Sequence, residues 1–122
     1  LKLAKAKPGL VSVCCAAEAL PFPSKSFERI IMVDALHHVA SQPATAGELW
    51  RILKPGGRLL IEEPNIQHFI VKGIALAEKI LWMRSHFLSP RQIVRLFEGL
   101  PAEVSLHHHG ASSWIFVQRK ED

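Results

Sequence analysis

A chain of 122 residues, 48% hydrophobic and 21% charged, has the length of one domain and an ordinary globular composition. Its net charge of +4 is spread out, with only Lys2, Lys5 and Lys7 clustered, which argues against a nucleic-acid surface of interleaved basic and aromatic side chains. No signal peptide is visible, and the longest apolar stretch, residues 66–83, holds Lys72, Glu78 and Lys79, too polar for a membrane span.

In chain order, residues 1–7 read as the last turns of a helix stopped by Pro8 and Gly9. Residues 10–17 (LVSVCCAA) form a short apolar, β-branched run that predicts a buried strand. Cys14 and Cys15 would then point to opposite faces, unable to bridge each other, as two buried thiols of a reducing cytosol. Pro21 and Pro23 make the next segment extended. Residues 27–34 (FERIIMVD) predict a second strand, apolar on both faces over Ile30 to Val33, as for a parallel strand covered on both sides.

Pro43 suits the first turn of a helix that runs to Leu53. Lys54-Pro55-Gly56-Gly57 ends it, the two glycines free to take positive φ, and a strand follows over residues 58–62. Strand, short joint, helix, short joint and strand make a right-handed βαβ unit. Residues 66–83 predict a helix apolar around most of its circumference, suited to a core position, a lid over a hydrophobic substrate or a subunit contact. Ser89-Pro90 caps and opens another helix that stops at Gly99. Residues 102–109 and 112–119, joined by Gly110-Ala111, require an antiparallel hairpin.

The sum is a single α/β domain over 1–122, its parallel sheet finished by an antiparallel C-terminal hairpin. Ligands of open α/β sheets bind beyond the carboxyl ends of the strands. Glu18, Asp34, His37, His38, Glu62 and Glu63 all follow predicted strands. Any surface loop also supplies polar residues there.

Three segments in this order, LPF…SF, ALHHV and LKPGG, resemble the class I S-adenosylmethionine-dependent methyltransferases, in particular the small-molecule branch of the ubiquinone/menaquinone biosynthesis enzymes. The resemblance is strongest from Ala17 to Pro64. It implies a Rossmann-like fold in which residues 10–17, 27–34 and 58–62 are the third, fourth and fifth strands and the hairpin supplies the last two. It implies S-adenosylmethionine as cofactor, a small-molecule methyl acceptor and a cytoplasmic enzyme. The family's G-x-G loop has no counterpart, since the glycines stand at 9, 47, 56, 57, 73, 99 and 110. The acid that grips the ribose is also missing, so about 60 residues of fold are lacking and the methyltransferase fold is incomplete.

On the resemblance, Ala16, Ala17, Glu18, Asp34 and Ala35 are the cofactor-binding candidates. Ala16 stands where the family often has an adenine-binding Asp. His37 and His38 are the catalytic candidates, suited to general-base work at neutral pH; the alternative is a structural turn with one histidine packed. Glu62, Glu63 and Asn65 are candidates for the substrate side, with Asn65 equally suited to cap the next helix. Glu48 reads as structural. His107, His108 and His109 alternate faces on a strand and lack a third ligand at metal spacing, so no metal is expected. A chain lacking the glycine loop is expected to be inactive alone; the rival reading is a cofactor-free binding or assembly module. Its open sheet edge calls for a homodimer, for residues 11–15 pairing beside residues 30–33, or for a missing N-terminal segment.

Overall fold

The structure, a computed structural model, describes residues 8–65 and 86–121. The helices expected over residues 1–7 and 66–83 lie outside the described residues. In chain order the elements are β1 (Phe27–Val33), a short 3-10 turn (Leu36–His38), α1 (Gln42–Ile52), β2 (Leu53–Pro64), α2 (Pro90–Arg95), β3 (Ala102–His109) and β4 (Ser112–Arg119). They form a four-stranded sheet in the order β1-β2-β4-β3. β1 and β2 are parallel, with Ile30 opposite Leu59 and Met32 opposite Ile61. β4 runs antiparallel to both β2 and β3. The expected βαβ unit and hairpin are therefore present, and the architecture is α/β.

The LKPGG segment departs from a simple turn. β2 begins at Leu53, directly after α1, and Lys54 to Gly57 loop out opposite the single residue Glu28 that separates Phe27 from Arg29 on β1. Only Gly56 takes positive φ, at 71°. Gly57 is required for space: a Cβ there would stand 2.7 Å from the Lys54 carbonyl oxygen and 3.1 Å from that of Glu28.

One face of the sheet carries the core. Leu59 and Ile61 of β2 and Ile115 and Val117 of β4 pack against Leu36, Ala46, Leu49, Leu53, Ile93 and Phe97. Each buried Leu, Ile, Val or Phe among them contributes about 2 kcal/mol relative to exposure. Ser41 caps α1, accepting from the Ala44 N–H, and Ser89 with Gln92 forms a capping box on α2. Arg119 ties β4 to the end of α1: its Nη1 donates to the carbonyls of Trp50 (3.1 Å) and Leu53 (2.9 Å), and its guanidinium lies 4.6 Å from the centre of the Trp50 ring.

Three expectations are corrected. Residues 10–15 form no strand and do not pair with β1. Val11 is 92% exposed, and Cys14 and Cys15 are exposed rather than buried. β1 is not covered on both sides: Ile30 and Met32 face the core, whereas Ile31 (68% exposed) and Val33 (52%) face outward, on the side that also carries Leu60 and Phe116. A run of apolar residues marks what a strand can bury, and burial itself depends on the neighbours present.

Candidate active-site rim

The parallel strands β1 and β2 end side by side, and their carboxyl ends carry most of the polar candidates. Val33 lies opposite Glu62, and the Asp34 N–H donates to the Glu62 carbonyl at 2.9 Å. Asp34 itself sits at φ 49°, a left-handed conformation that Asp tolerates better than most residues. That kink turns the chain out of β1 into Ala35 and the 3-10 turn.

Glu63 fixes this loop. Its Oε1 accepts from the backbone N–H of Ala35 (3.0 Å) and Leu36 (2.7 Å), and its Oε2 accepts from His37 Nδ1 at 2.6 Å. The carboxylate is 4% exposed and the histidine 6%, so this is a buried and well-satisfied polar pair. His37 also stacks on Phe87, ring centres 4.4 Å apart with planes 16° from parallel. Its carbonyl accepts from the His86 N–H at 3.1 Å. Gln42, at the start of α1, donates to the carbonyls of both Leu36 and His86. The far nitrogen of His37, Nε2, lies 3.9 Å from the exposed Asp34 carboxylate. His38 is exposed, its ring centre 4.0 Å from that of His37.

Glu18 joins the rim through α1. Its Oε1 accepts from the Ser41 N–H at 2.9 Å, which holds its carboxyl below the usual range. Ala16 and Ala17 lie beside it, the Ala16 carbonyl accepting from the Ala19 N–H at 3.2 Å. The loop that follows is clamped by Glu48 and Arg51. Glu48 Oε2 accepts from the Leu20 N–H (2.8 Å), while Arg51 donates to the carbonyls of Leu20 (3.0 Å) and Phe22 (2.8 Å). Arg51, then the Leu20 N–H, hold the Glu48 carboxyl down to about 2. Asn65, just past β2, is buried, and its N–H donates to the Ala111 carbonyl at 2.7 Å.

The fold thus gathers Glu18, Asp34, Ala35, His37, His38, Glu62, Glu63 and Asn65 at the strand ends of β1 and β2 and the adjoining start of α1. The roles of Phe87 and Gln42 escaped sequence reasoning: neither carries a motif, and both reach His37 only through tertiary packing. In the hairpin, His107 packs edge-on against Phe116 and His108 Nδ1 lies 3.0 Å from Ser113 Oγ. Among the described residues no group of three or more His, Cys, Asp or Glu is placed to hold a metal ion.

A parallel β1–β2 pair followed by an antiparallel hairpin, with polar groups at the strand ends, is the arrangement of solved methyltransferases. A S-adenosylmethionine-dependent methyltransferase from Thermotoga maritima, described as a possible histamine N-methyltransferase, matches with a TM-score of 0.75 at 20% identity, over 92% of this chain and 65% of that one. A protein from Pyrococcus horikoshii matches with a TM-score of 0.75 at 16% identity, over 98% of this chain and 64% of that one. These likenesses define the fold class: a Rossmann-like α/β sheet.

Residues 1–61 match the family described as "Methyltransferase domain", and the chain belongs to that family, in its S-adenosylmethionine-dependent class I branch akin to the ubiquinone/menaquinone enzymes. The ubiquinone/menaquinone biosynthesis C-methyltransferase UbiE of Bordetella parapertussis is 43% identical over 49 residues, 40% of this chain and 19% of the relative. That of Shewanella pealeana is 42% identical over 59 residues, 48% of this chain and 24% of the relative. A demethylmenaquinone methyltransferase of Symbiobacterium thermophilum is 48% identical over 46 residues, 38% of this chain and 18% of the relative. The matched regions thus span about a fifth of the curated relatives' length.

S-adenosylmethionine is the cofactor that this family implies. Asp34 presents an exposed carboxylate, while the Glu18 carboxylate and the Ala35 N–H are engaged within the chain. No helix among the described residues is long and apolar enough to cross a membrane.

Proposed function

We propose that this chain supplies the acceptor-side wall of a methyl-transfer site for a small molecule. The observation that carries the reading is the lashing of the loop after β1 to the end of β2. Glu63 holds Ala35, Leu36 and His37 at once, so the segment that would pass between cofactor and acceptor has a fixed course. Holding reactants in line accounts for much of methyl transfer, and a rigid loop is what that positioning requires.

On this reading Asp34 and Ala35, with Ala16, Ala17 and Glu18 beyond them, face the cofactor, which would supply the methyl group. His37 faces the acceptor, and Glu62 and Asn65 border the same side. Curated relatives named for ubiquinone and menaquinone biosynthesis favour a quinone-type acceptor. The 122 residues alone are inactive, because their free groups cover only part of the cofactor. The exposed face bearing Ile31 and Val33, and the outer edge of β1, are covered by a second copy of the chain. A matched solved structure is a complex of a methyltransferase with the Trm112 activator from Haloferax volcanii, which makes a protein partner a second reading for that surface.

The test is a fusion. The N-terminal part of the Bordetella parapertussis relative, carrying its strand–loop–helix units, is joined ahead of this chain at the start of the matched region. The reading expects the fusion to bind S-adenosylmethionine and to methylate a quinol, and Asp34→Ala to weaken binding by about tenfold. A folded fusion that binds the cofactor but methylates no quinol or other small acceptor would overturn it.

A further inference from the structure

We propose that Glu63 is a positioning residue that sets His37 to take a proton from the methyl acceptor. The acceptor then belongs to the class that carries an ionisable O–H, N–H or acidic C–H, and not to the thioethers or tertiary amines. The inference rests on the methyl-transfer reading above.

Glu63 accepts from two backbone N–H groups through Oε1 and faces His37 Nδ1 at 2.6 Å through Oε2. A carboxylate is an acceptor, so Nδ1 is the protonated nitrogen and the lone pair of the neutral ring is on Nε2. The ring cannot turn to exchange the two. It is stacked on Phe87, it abuts His38, and its bond to Glu63 is buried with both partners. Nε2 is directed toward Asp34, whose carboxylate is 68% exposed at the mouth of the rim. Among the described residues, the groups around the imidazole are thus two carboxylates, Glu63 and Asp34, with the phenyl ring of Phe87 and the ring of His38.

An acceptor without a labile hydrogen has no use for this arrangement. With a protic acceptor the accounting closes. The acceptor's X–H bond breaks and its proton passes to Nε2. The electron pair left on X forms the new bond to the methyl carbon, and the pair of the cleaved S–C bond stays with sulfur in the family's sulfonium cofactor. The imidazolium then lies between Glu63 and Asp34, which offset its charge. If instead Glu63 only pins the loop, the choice of nitrogen is incidental and Nε2 need not meet any solute.

The experiment uses the 122-residue chain with its histidines labelled with nitrogen-15, observed by long-range proton–nitrogen correlation above the ordinary histidine titration range. His37 is expected to hold Nδ1–H over Nε2–H by at least about tenfold, the factor a charge-assisted hydrogen bond supports. In Glu63→Gln, whose amide oxygen still accepts from the loop, the two forms come within about threefold of each other. Added phenol is expected to shift the Nε2 resonance, and anisole, its methyl ether, to leave it in place. An Nε2–H tautomer in the parent chain, or equal response to phenol and anisole (including none), would overturn the proposal. Should Glu63→Gln not fold, the parent tautomer and the phenol–anisole pair still decide. These readouts need no cofactor, so a fusion that binds but never methylates would refute the methyl-transfer reading and leave the tautomer result as a separate finding.

Discussion

The carboxylate of Glu48 accepts from Arg51 Nε at 2.7 Å and Nη2 at 2.8 Å and from the Leu20 N–H at 2.8 Å. Through Arg51 it also fixes the carbonyls of Leu20 and Phe22, so one helical turn of α1 closes the loop leading into β1. Its carboxyl is held at about 2, against 4.5 for the free group. A depressed folded value means the contribution to stability is present above the unfolded value and lost as pH falls toward the folded one. The urea midpoint of the parent chain should therefore fall between about pH 5 and about pH 3, with Glu18, depressed by the Ser41 N–H, adding to the slope. Glu48→Gln should lower the midpoint at neutral pH and flatten that fall. An unchanged slope in the variant would remove Glu48 from this role. The sequence marks Glu48 as structural but says nothing of what it holds, because beyond its neighbour Arg51 its partner is the Leu20 N–H, 28 residues away and a backbone group without sequence identity.

Near the start of β2, the four residues Lys54 to Gly57 form an irregularity whose two glycines serve different needs. Gly56 supplies a left-handed backbone, and Gly57 leaves room for the carbonyls of Lys54 and Glu28. Gly57→Ala should destabilise the chain by about 2 kcal/mol through that contact with backbone. Gly47, mid-helix with open space where a Cβ would stand, is the control: Gly47→Ala should stabilise by about 0.7 kcal/mol. Denaturant titration of both variants checks the pair, and equal effects would contradict the assignment. Elements whose signal is local were legible in the sequence. The hairpin appears over the expected residues 102–109 and 112–119, and Ser89-Pro90 caps α2 as expected. Residues 10–17 carry an equally good strand composition yet form none among the described residues, since a strand also needs a ladder partner, and composition cannot supply one.

The sheet as a whole is covered on one face and, among the described residues, open at both edges, β1 and β3. Ile31, Val33 and Phe116 are exposed on the uncovered face, across strands that lie side by side with β2 between them. An open strand edge beside an apolar face recruits a partner. The chain should therefore sediment as a dimer at high micromolar concentration, and Ile31→Lys should shift it toward monomer with its circular dichroism retained. A monomeric parent would refute association through this face. The rim was legible as a set of positions, because strand ends collect polar residues in any α/β sheet. The division of labour inside it was not, since Glu62 and Glu63 are neighbours in sequence and only the pleat decides which one turns inward to His37.

The central claim is that this chain forms one wall of a methyltransferase site and does not enclose the cofactor alone. Each charged hydrogen bond missing from a site costs about 1.5–3 kcal/mol, tenfold to a hundredfold in affinity. Glu18 and the Ala35 N–H are engaged internally, and Ala16 offers no side-chain acceptor. Isothermal titration of the 122-residue chain with S-adenosylmethionine tests the claim most directly. No measurable binding is expected below the millimolar range. Micromolar binding would contradict it.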